Sequence, residues 1–110
     1  MRLRLLGKGG SGKDDCPSLF ATDGDTFIVQ GWRTDNPNEV EIPHLLTGFA
    51  EPRTYLGVPL TDTGRGTFTL VGTPIVDVAT LDQLTLESYE VAVEVPRGER
   101  TYFGGVPADS

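Results

Sequence analysis

Hydrophobic and polar residues alternate in three segments of the chain, which predicts strands with one face in water. Residues 2–6 alternate arginine with leucine, and residues 39–43 alternate glutamate with valine and isoleucine. Residues 89–95 place apolar side chains at every second position. A period of two puts successive side chains on opposite faces of a sheet. We therefore expect the glutamates of the last two segments to point to solvent: Glu39, Glu41, Glu90 and Glu94.

Short runs of β-branched and aromatic residues flank two turns that contain glycine. The first turn is Asp23-Gly24-Asp25, and the second covers residues 62–66. Glycine adopts the positive φ of tight turns without a steric penalty. The pattern predicts two hairpins: Leu19–Thr22 with Thr26–Gly31, and Tyr55–Leu60 with Thr67–Val71.

Two parts of the chain have similar sequences. Residues 26–31 (TFIVQG) align with residues 67–72 (TFTLVG), and residues 40–43 (VEIP) align with residues 93–96 (VEVP). A unit this short buries too little apolar surface to be stable alone. We therefore expect the two copies to pack on each other around one core.

These patterns predict a mainly β protein, α+β at the margin, with one compact domain over residues 1–103. Two tandem hairpin-plus-strand repeats, about residues 16–52 and 55–100, are expected to form an antiparallel sheet. Residues 7–15 are rich in glycine and predict a flexible loop. Residues 104–110 are expected to be a disordered tail.

One or two short helices are expected beside the sheet. Residues 78–84 have helical apolar spacing and follow Asp77, a residue that caps helix N-termini. Residues 43–49 begin with proline and place Leu45 and Phe49 four residues apart.

Composition narrows the class of protein. The chain has 110 residues, of which 37% are hydrophobic, and no run approaches the roughly 18 apolar residues of a membrane helix. The apolar stretch at the N-terminus ends at Gly7, short of a secretory signal. A single cysteine, Cys16, excludes an internal disulfide. These features predict a cytoplasmic protein without a membrane segment.

The distribution of charge bears on the choice of partner. The net charge is −7, and every acidic residue lies at or after Asp14. All charged residues before Asp14 are basic. Proteins that bind nucleic acid directly present a basic face, which only this N-terminal segment offers. An acidic body favours a basic protein partner, although the same charge also serves solubility.

A glycine-rich segment matches part of a phosphate-binding motif. Residues 7–13 (GKGGSGK) fit the spacing G-x-x-x-x-G-K after a predicted strand. The motif requires Ser or Thr at the next position and a helix after it, but Asp14 and Asp15 follow here, and Pro17 disfavours a helix. Nucleotide binding through this segment is therefore the weaker alternative to a glycine-rich connection.

No residue pattern predicts catalysis or a metal site. Cys16 and His44 are each unique in the chain, and neither lies in a recognisable nucleophile context. One cysteine and one histidine do not complete a tetrahedral zinc site. Glutamates two apart on a strand form a solvated stripe more often than an acid–base pair. We expect no cofactor and no enzyme activity.

Trp32 is the first candidate for a binding residue. It follows the first hairpin beside Arg33, and its counterpart in the second copy is Thr73, so the repeated framework does not require it. A single tryptophan at a strand end is typical of an interface anchor, with core packing as the alternative. Three apolar residues of the short helix raise the same choice: Leu45, Leu46 and Phe49.

Part of the chain resembles a known family. Residues 16–21 (CPSLFA), 26–32 (TFIVQGW) and 39–43 (EVEIP), with the helix that carries Leu45, Leu46 and Phe49, resemble the small actinobacterial proteins of "domain of unknown function 397". The resemblance covers about residues 16–50. This chain differs in having Gln30-Gly31-Trp32 where the family often has Arg-Asp-Ser, and in adding a second copy without the cysteine.

The resemblance implies association with a neighbouring helix-turn-helix regulator and no known enzyme activity. The sequence therefore predicts a non-enzymatic cytoplasmic protein, a monomer or homodimer, that binds and modulates a DNA-binding regulator without contacting nucleic acid itself. The expected contact residues are Trp32, Arg33, Leu45, Leu46 and Phe49. Two alternatives remain open, a toxin-neutralising partner protein and a nucleotide-binding protein that uses Gly7–Lys13.

Overall fold

The computed structural model describes residues 1–9 and 17–100. Nine strands lie in these ranges: β1 Leu3–Lys8, β2 Ser18–Thr22, β3 Thr26–Arg33, β4 Glu39–Pro43, β5 Thr54–Leu56, β6 Thr61–Asp62, β7 Thr67–Val71, β8 Thr73–Pro74 and β9 Glu90–Glu99. A 3₁₀ helix covers His44–Phe49, and helix α1 covers Val78–Leu81. All strand pairs are antiparallel, which confirms a compact, mainly β fold with two short helices. Neither helix is long enough to cross a membrane.

The two similar parts of the chain exchange strands. In the first pairing, β3 of the first copy lies against β9 of the second, with Phe27 opposite Val95. In the second, β7 of the second copy lies against β4 of the first, with Phe68 opposite Ile42. Aligned residues therefore occupy equivalent positions in the two pairings. We call β3 and β7 the middle strands of the two copies, and β4 and β9 their last strands. The middle strand of each copy thus pairs with the last strand of the other.

Side-chain hydrogen bonds repeat the same exchange. The Thr26 hydroxyl donates to Glu94 Oε2 at 2.7 Å, and the aligned Thr67 hydroxyl donates to Glu41 Oε2 at 2.5 Å. In both cases the threonine begins a middle strand and the glutamate lies in the last strand of the other copy. These bonds hold the two copies in register on the more exposed face of the sheet.

Gly31 and Gly72 are aligned residues at which a strand passes close to another backbone. A Cβ atom on Gly31 would lie 2.5 Å from the Glu41 carbonyl oxygen, and one on Gly72 would lie 2.8 Å from that of Glu94. Both separations are shorter than a non-bonded carbon–oxygen contact. Only glycine allows these approaches, which explains why both copies keep it.

The core lies on one face of the sheet and contains residues from both copies. Along β3, Phe27 and Val29 point into the core, whereas Gln30 points to the opposite face. Burial of this apolar surface is the main stabilising contribution. The buried cluster consists of Leu19, Phe27, Val29, Val40, Ile42, Leu46, Leu56, Leu70, Val93 and Val95.

The first predicted hairpin is confirmed, but the second has a different partner strand. Residues 55–60 were expected to pair with β7, yet β5 pairs with the end of β9, and β6 pairs with β7 instead. The Gly57 N–H donates to the Pro96 carbonyl oxygen at 2.7 Å, which extends the pairing with β9 by one residue. Pro59 follows in the interval between β5 and β6 and cannot donate to a ladder. Of the predicted strand only Tyr55 and Leu56 lie in a strand, and β6 begins at Thr61, beyond its predicted end.

The N-terminal strand is longer than predicted, and its alternation is interrupted. It ends at Lys8, and its register against β2 shifts between Leu5 and Gly7. Leu5 lies opposite Phe20, ahead of this shift, and is half exposed on the face that Gln30 shares, while Leu6 packs against the core. Strict alternation had placed Leu5 with the apolar face.

Both short helices are present in modified form. The segment after Pro43 forms a 3₁₀ helix. Helix α1 is capped by Asp77, whose Oδ2 accepts a hydrogen bond from the Thr80 N–H at 3.0 Å, but it ends at Leu81 instead of residue 84. The expectations for residues 10–15, Cys16 and the tail 104–110 lie outside the described residues.

Candidate functional site

Arg33, one of the predicted contact residues, binds the chain itself. Its backbone N–H donates to the Tyr89 carbonyl oxygen at 2.8 Å. Its guanidinium group donates to the carbonyl oxygens of Ser88 at 3.3 Å and Glu90 at 3.1 Å. The neighbouring Trp32 is partly buried. Arg33 therefore fixes the start of β9. The sequence, which predicted Arg33 as a residue that contacts a partner, did not indicate this role.

The predicted contact residues of the 3₁₀ helix divide between core and surface. Leu46 is fully buried in the core cluster, so its prediction as a contact residue is wrong. Leu45 and Phe49 are partly exposed and cover glycines of the N-terminal segment, where a Cβ atom on Gly9 or Gly7 would lie 2.3 Å from them.

Trp32 does not share a surface with this helix. Alternation along β3 puts Trp32 on the face of Gln30, opposite the face whose side chains join Leu46 in the core. The predicted contact residues therefore do not form one patch. They lie on two sides of the sheet.

Residues 75–89, which we call the acidic segment, form the largest difference between the copies. The segment contains Asp77, Asp82 and Glu87, and no Lys, Arg or His occurs anywhere in residues 66–96. Val76 and Val78 are 84% and 69% exposed, the highest values among large hydrophobic side chains in the described ranges. The segment therefore combines apolar side chains in water with three carboxylates. The cations near it come from elsewhere in the chain: Arg33 bonds its backbone, and the pKa of Asp77 is lowered by hydrogen bonds from Thr80 and, less, by the N-terminal ammonium.

Side chains of the first copy and the backbone of the N-terminal residues hold the acidic segment in place. Gln30 Nε2 donates to the Thr85 carbonyl oxygen at 2.8 Å. Gln83 Oε1 accepts from the Leu3 N–H at 2.9 Å, and its amide nitrogen donates to the Met1 carbonyl oxygen at 2.5 Å. These contacts, and those of Arg33 at the far end, involve the backbone of the segment and the Gln83 side chain. Val76 and Val78 take no part in them and stand in solvent.

Glu90 is buried, although alternation predicted it in solvent. It is only 1% exposed because the acidic segment folds back over the start of β9. Its Oε1 accepts from Gln30 Nε2 at 3.2 Å and from the Glu87 N–H at 3.1 Å, and its Oε2 has no hydrogen-bond partner among the described residues. Burial of a carboxyl group is costly unless hydrogen bonds compensate it. Glu90 thus ties the segment to the sheet.

A small cavity lies between β1, β2, β3 and the acidic segment. Its volume is about 170 Å³, and its lining includes Ser18, Phe20, Gln30 and Gln83. Small-molecule sites usually enclose roughly 300–1,000 Å³. The amides of Gln30 and Gln83 already bond the backbone of the segment and the N-terminus. The cavity is smaller than a typical substrate site, and the two amides that line it already have partners within the chain.

His44 has a structural environment. Its Nε2 lies 3.1 Å from the Thr67 carbonyl oxygen and 3.3 Å from Asp62 Oδ1, and its ring lies against Phe68 with centroids 4.2 Å apart. A hydrogen bond from the Gly64 N–H, with help from His44, holds the pKa of Asp62 below its ordinary value. Within residues 1–9 and 17–100, no group of His, Cys, Asp or Glu side chains is placed to hold a metal ion.

The structure of the residues around the glycine-rich segment differs from that of a phosphate-binding loop. Gly7 and Lys8 belong to β1, and the Gly9 N–H donates to the Pro17 carbonyl oxygen at 3.0 Å. After Pro17 the chain enters strand β2, where a phosphate-binding loop would have a helix. The segment therefore connects two adjacent antiparallel strands.

Comparison with family models, with curated proteins and with solved structures finds no match to this chain.

Proposed function

We propose that the chain is a non-enzymatic cytoplasmic interaction protein that binds a basic protein partner through the acidic segment, residues 75–89. The partner class that we propose is a helix-turn-helix regulator, as the family resemblance implies. The observation that carries the proposal is the coincidence of the two most exposed valines, Val76 and Val78, with a stretch that has three carboxylates and no cation.

Two physical effects favour binding of a partner at this surface. Apolar side chains that stand in water gain free energy when a partner covers them, which provides affinity. Carboxylates around them attract a positively charged surface and speed its encounter. DNA-binding proteins carry such basic surfaces, so an acidic partner that covers one competes with DNA.

The proposal moves the contact region away from most of the residues that the sequence suggested. Arg33 supports the acidic segment from beneath, and Trp32 lies beside the place where the segment joins β9. Leu45 and Phe49 cover β1 on another side of the molecule. We therefore keep Trp32 at the margin of the proposed surface and exclude Leu46 from it.

The test measures binding of a purified helix-turn-helix regulator from the same source, by calorimetry at two salt concentrations. The Val76→Ser, Val78→Ser double variant should weaken binding by about tenfold or more, since exposed apolar anchors dominate interface energies. Val71→Ser is the matched control, because Val71 is also exposed (49%) but lies outside the segment.

Charge variants separate the electrostatic part. Asp82→Asn with Glu87→Gln should lower the association rate and its salt dependence, whereas Glu99→Gln, an exposed glutamate in β9, should not. Equal binding by the valine variants and the control would overturn the placement of the site. Binding to a toxin but not to the regulator would overturn the partner class and favour the neutralising role.

A further inference from the structure

The extended strand pairing in this fold joins one copy to the other. The β3–β9 ladder covers seven residue pairs and the β4–β7 ladder covers five, and both cross between the copies. Within a copy, the last strand meets the middle one in short bridges, such as Trp32 with Glu41. Each copy therefore presents strand edges that are complementary to the other copy. A copy that belongs to a second chain offers the same edges.

One short crossing connects the copies. The 3₁₀ helix packs on β1 and β2, whereas β5 pairs with β9, so the boundary falls in residues 50–53. Arg53 has a φ of 63°, the left-handed region, which costs a non-glycine residue conformational energy. Pro52 at the second position of this turn suits the closed form, in which the Thr54 N–H donates to the Glu51 carbonyl oxygen at 3.0 Å. The left-handed Arg53 is therefore the feature that favours a straightened crossing.

Ion pairs oppose this opening. Glu51 lies within the crossing and bonds Arg4 on one side and Arg97 on the other. The two arginines belong to β1 and β9, so the carboxylate joins the N-terminal strand to the second copy. The closed turn is therefore held by these ion pairs, which contribute little stability individually, and by hydrogen bonds from the Thr54 N–H and hydroxyl to the Glu51 carbonyl oxygen.

We propose that a second copy of this chain is a partner, in a strand-exchanged dimer. In this dimer the first copy of each chain pairs with the second copy of the other, and residues 50–53 run extended between them. The β3–β9 and β4–β7 ladders form again across chains and the ladders within each copy are unchanged, so the two states differ mainly at the crossing and in the entropy of association. The dimer carries two acidic segments.

The test uses a cysteine pair that reports which chain supplies each strand. Glu39 and Val71 face each other across the β4–β7 ladder, and antiparallel partners have Cα separations that a disulfide spans. The full chain carries Cys16→Ser, Glu39→Cys and Val71→Cys. It is unfolded in denaturant, refolded at low and at high concentration, and separated by size exclusion with light scattering. Each fraction is then oxidised and examined on a non-reducing denaturing gel.

The expected result is a dimer fraction that grows with refolding concentration and gives a covalent dimer, while the monomer fraction cross-links within one chain. A dimer that also cross-links only within each chain would overturn the proposal, because it would be a surface association. Failure to form any dimer at high concentration would overturn it too. The natural chain is refolded in parallel and should show the same dimer by light scattering.

The crossing itself supplies the second measurement. Arg53→Gly removes the left-handed strain from the closed turn and so stabilises the monomer. Because two closed turns are lost in each dimer, the association constant should fall by roughly tenfold. Arg2→Gly, a matched loss of one exposed arginine away from the crossing, should leave it unchanged. An unchanged association constant in Arg53→Gly would overturn the assignment of residues 50–53 as the hinge.

Discussion

The two copies share a framework and differ in what connects its strands. In the first copy, β3 runs without interruption to Arg33 and five residues lead to β4. In the second, β7 and β8 are separate, and the acidic segment lies between β8 and β9. Equivalent ladders, glycines and threonine–glutamate bonds show that the added segment left the framework unchanged. The framework therefore supplies stability, and the insertion supplies the surface on which our functional proposal rests.

The largest expected effect separates two aligned phenylalanines. Phe27 is fully buried, whereas Phe68 is only partly buried against the core. Phe27→Ala should lower the free energy of unfolding by about 3–5 kcal/mol, the usual result for a buried aromatic, and Phe68→Ala by clearly less. Urea unfolding of both variants measures the difference. Equal losses would mean that the copies contribute symmetrically to the core.

The aligned glycines should show a smaller effect with the same sign. Gly31→Ala and Gly72→Ala place a methyl group against backbone, so each should cost about 1–3 kcal/mol, with Gly31 the more sensitive because its approach is closer. Gly48→Ala is the control, since nothing lies within 4 Å of its Cβ position. Thermal unfolding should show it to be neutral or stabilising. A neutral Gly31→Ala would contradict the close strand approach.

Loss of the aligned threonine hydroxyls should distinguish the copies by about 1 kcal/mol. Thr26→Val removes the hydroxyl that donates to Glu94, whereas after Thr67→Val the Glu41 carboxylate still accepts from Arg65 at 3.0 Å. A carboxylate that loses its donor costs more than one that retains another. Thr26→Val should therefore be the more destabilising variant in denaturant titrations. The reverse order would show that Arg65 does not compensate.

The smallest expected effect concerns the ion pairs of the crossing. A hydrogen bond from Arg4, with a further one from Arg97, holds the pKa of Glu51 below its ordinary value of 4.5. Because the folded-state pKa is lowered, this stabilisation is complete above that value and is lost as the pH falls through the lowered pKa. Glu51→Gln should flatten the decline of unfolding free energy in this acidic range. Glu99→Gln controls for the loss of one charge, and an identical slope in both variants would contradict the role of Glu51.

Local signals predicted the parts of the fold that depend on neighbours in sequence. The first hairpin and the Asp77 cap were accessible from strand propensity and capping chemistry, although Gly24 does not adopt the positive φ that its turn suggested, unlike Gly64 and Gly66 of the second turn. Glu90 and the strand after Thr54 were not, because each depends on a segment distant in sequence. Alternation also failed at Leu5, because a period of two does not say which face of a strand the core will cover.

The candidate site was the least predictable part. Trp32, Arg33 and Leu46 were predicted as contact residues from their residue type. Their burial and backbone contacts show that they mainly stabilise the fold. The sequence has no cation in residues 66–96, but the net charge of the whole chain does not reveal this. It gained meaning only once Val76 and Val78 were found in water beside the carboxylates.

The sequence by itself determined the β class, the repeated unit and the acidic character, because periodicity, turn residues and charge act over a few neighbouring positions. The tertiary structure decided that the copies exchange strands, that Glu90 lies beneath the acidic segment, and which apolar residues remain exposed. These features depend on pairing energies between segments some 24 to 70 residues apart, such as β4 with β7 and β3 with β9. No local pattern encodes which of several compatible strands will meet, since backbone hydrogen bonds are the same for all of them.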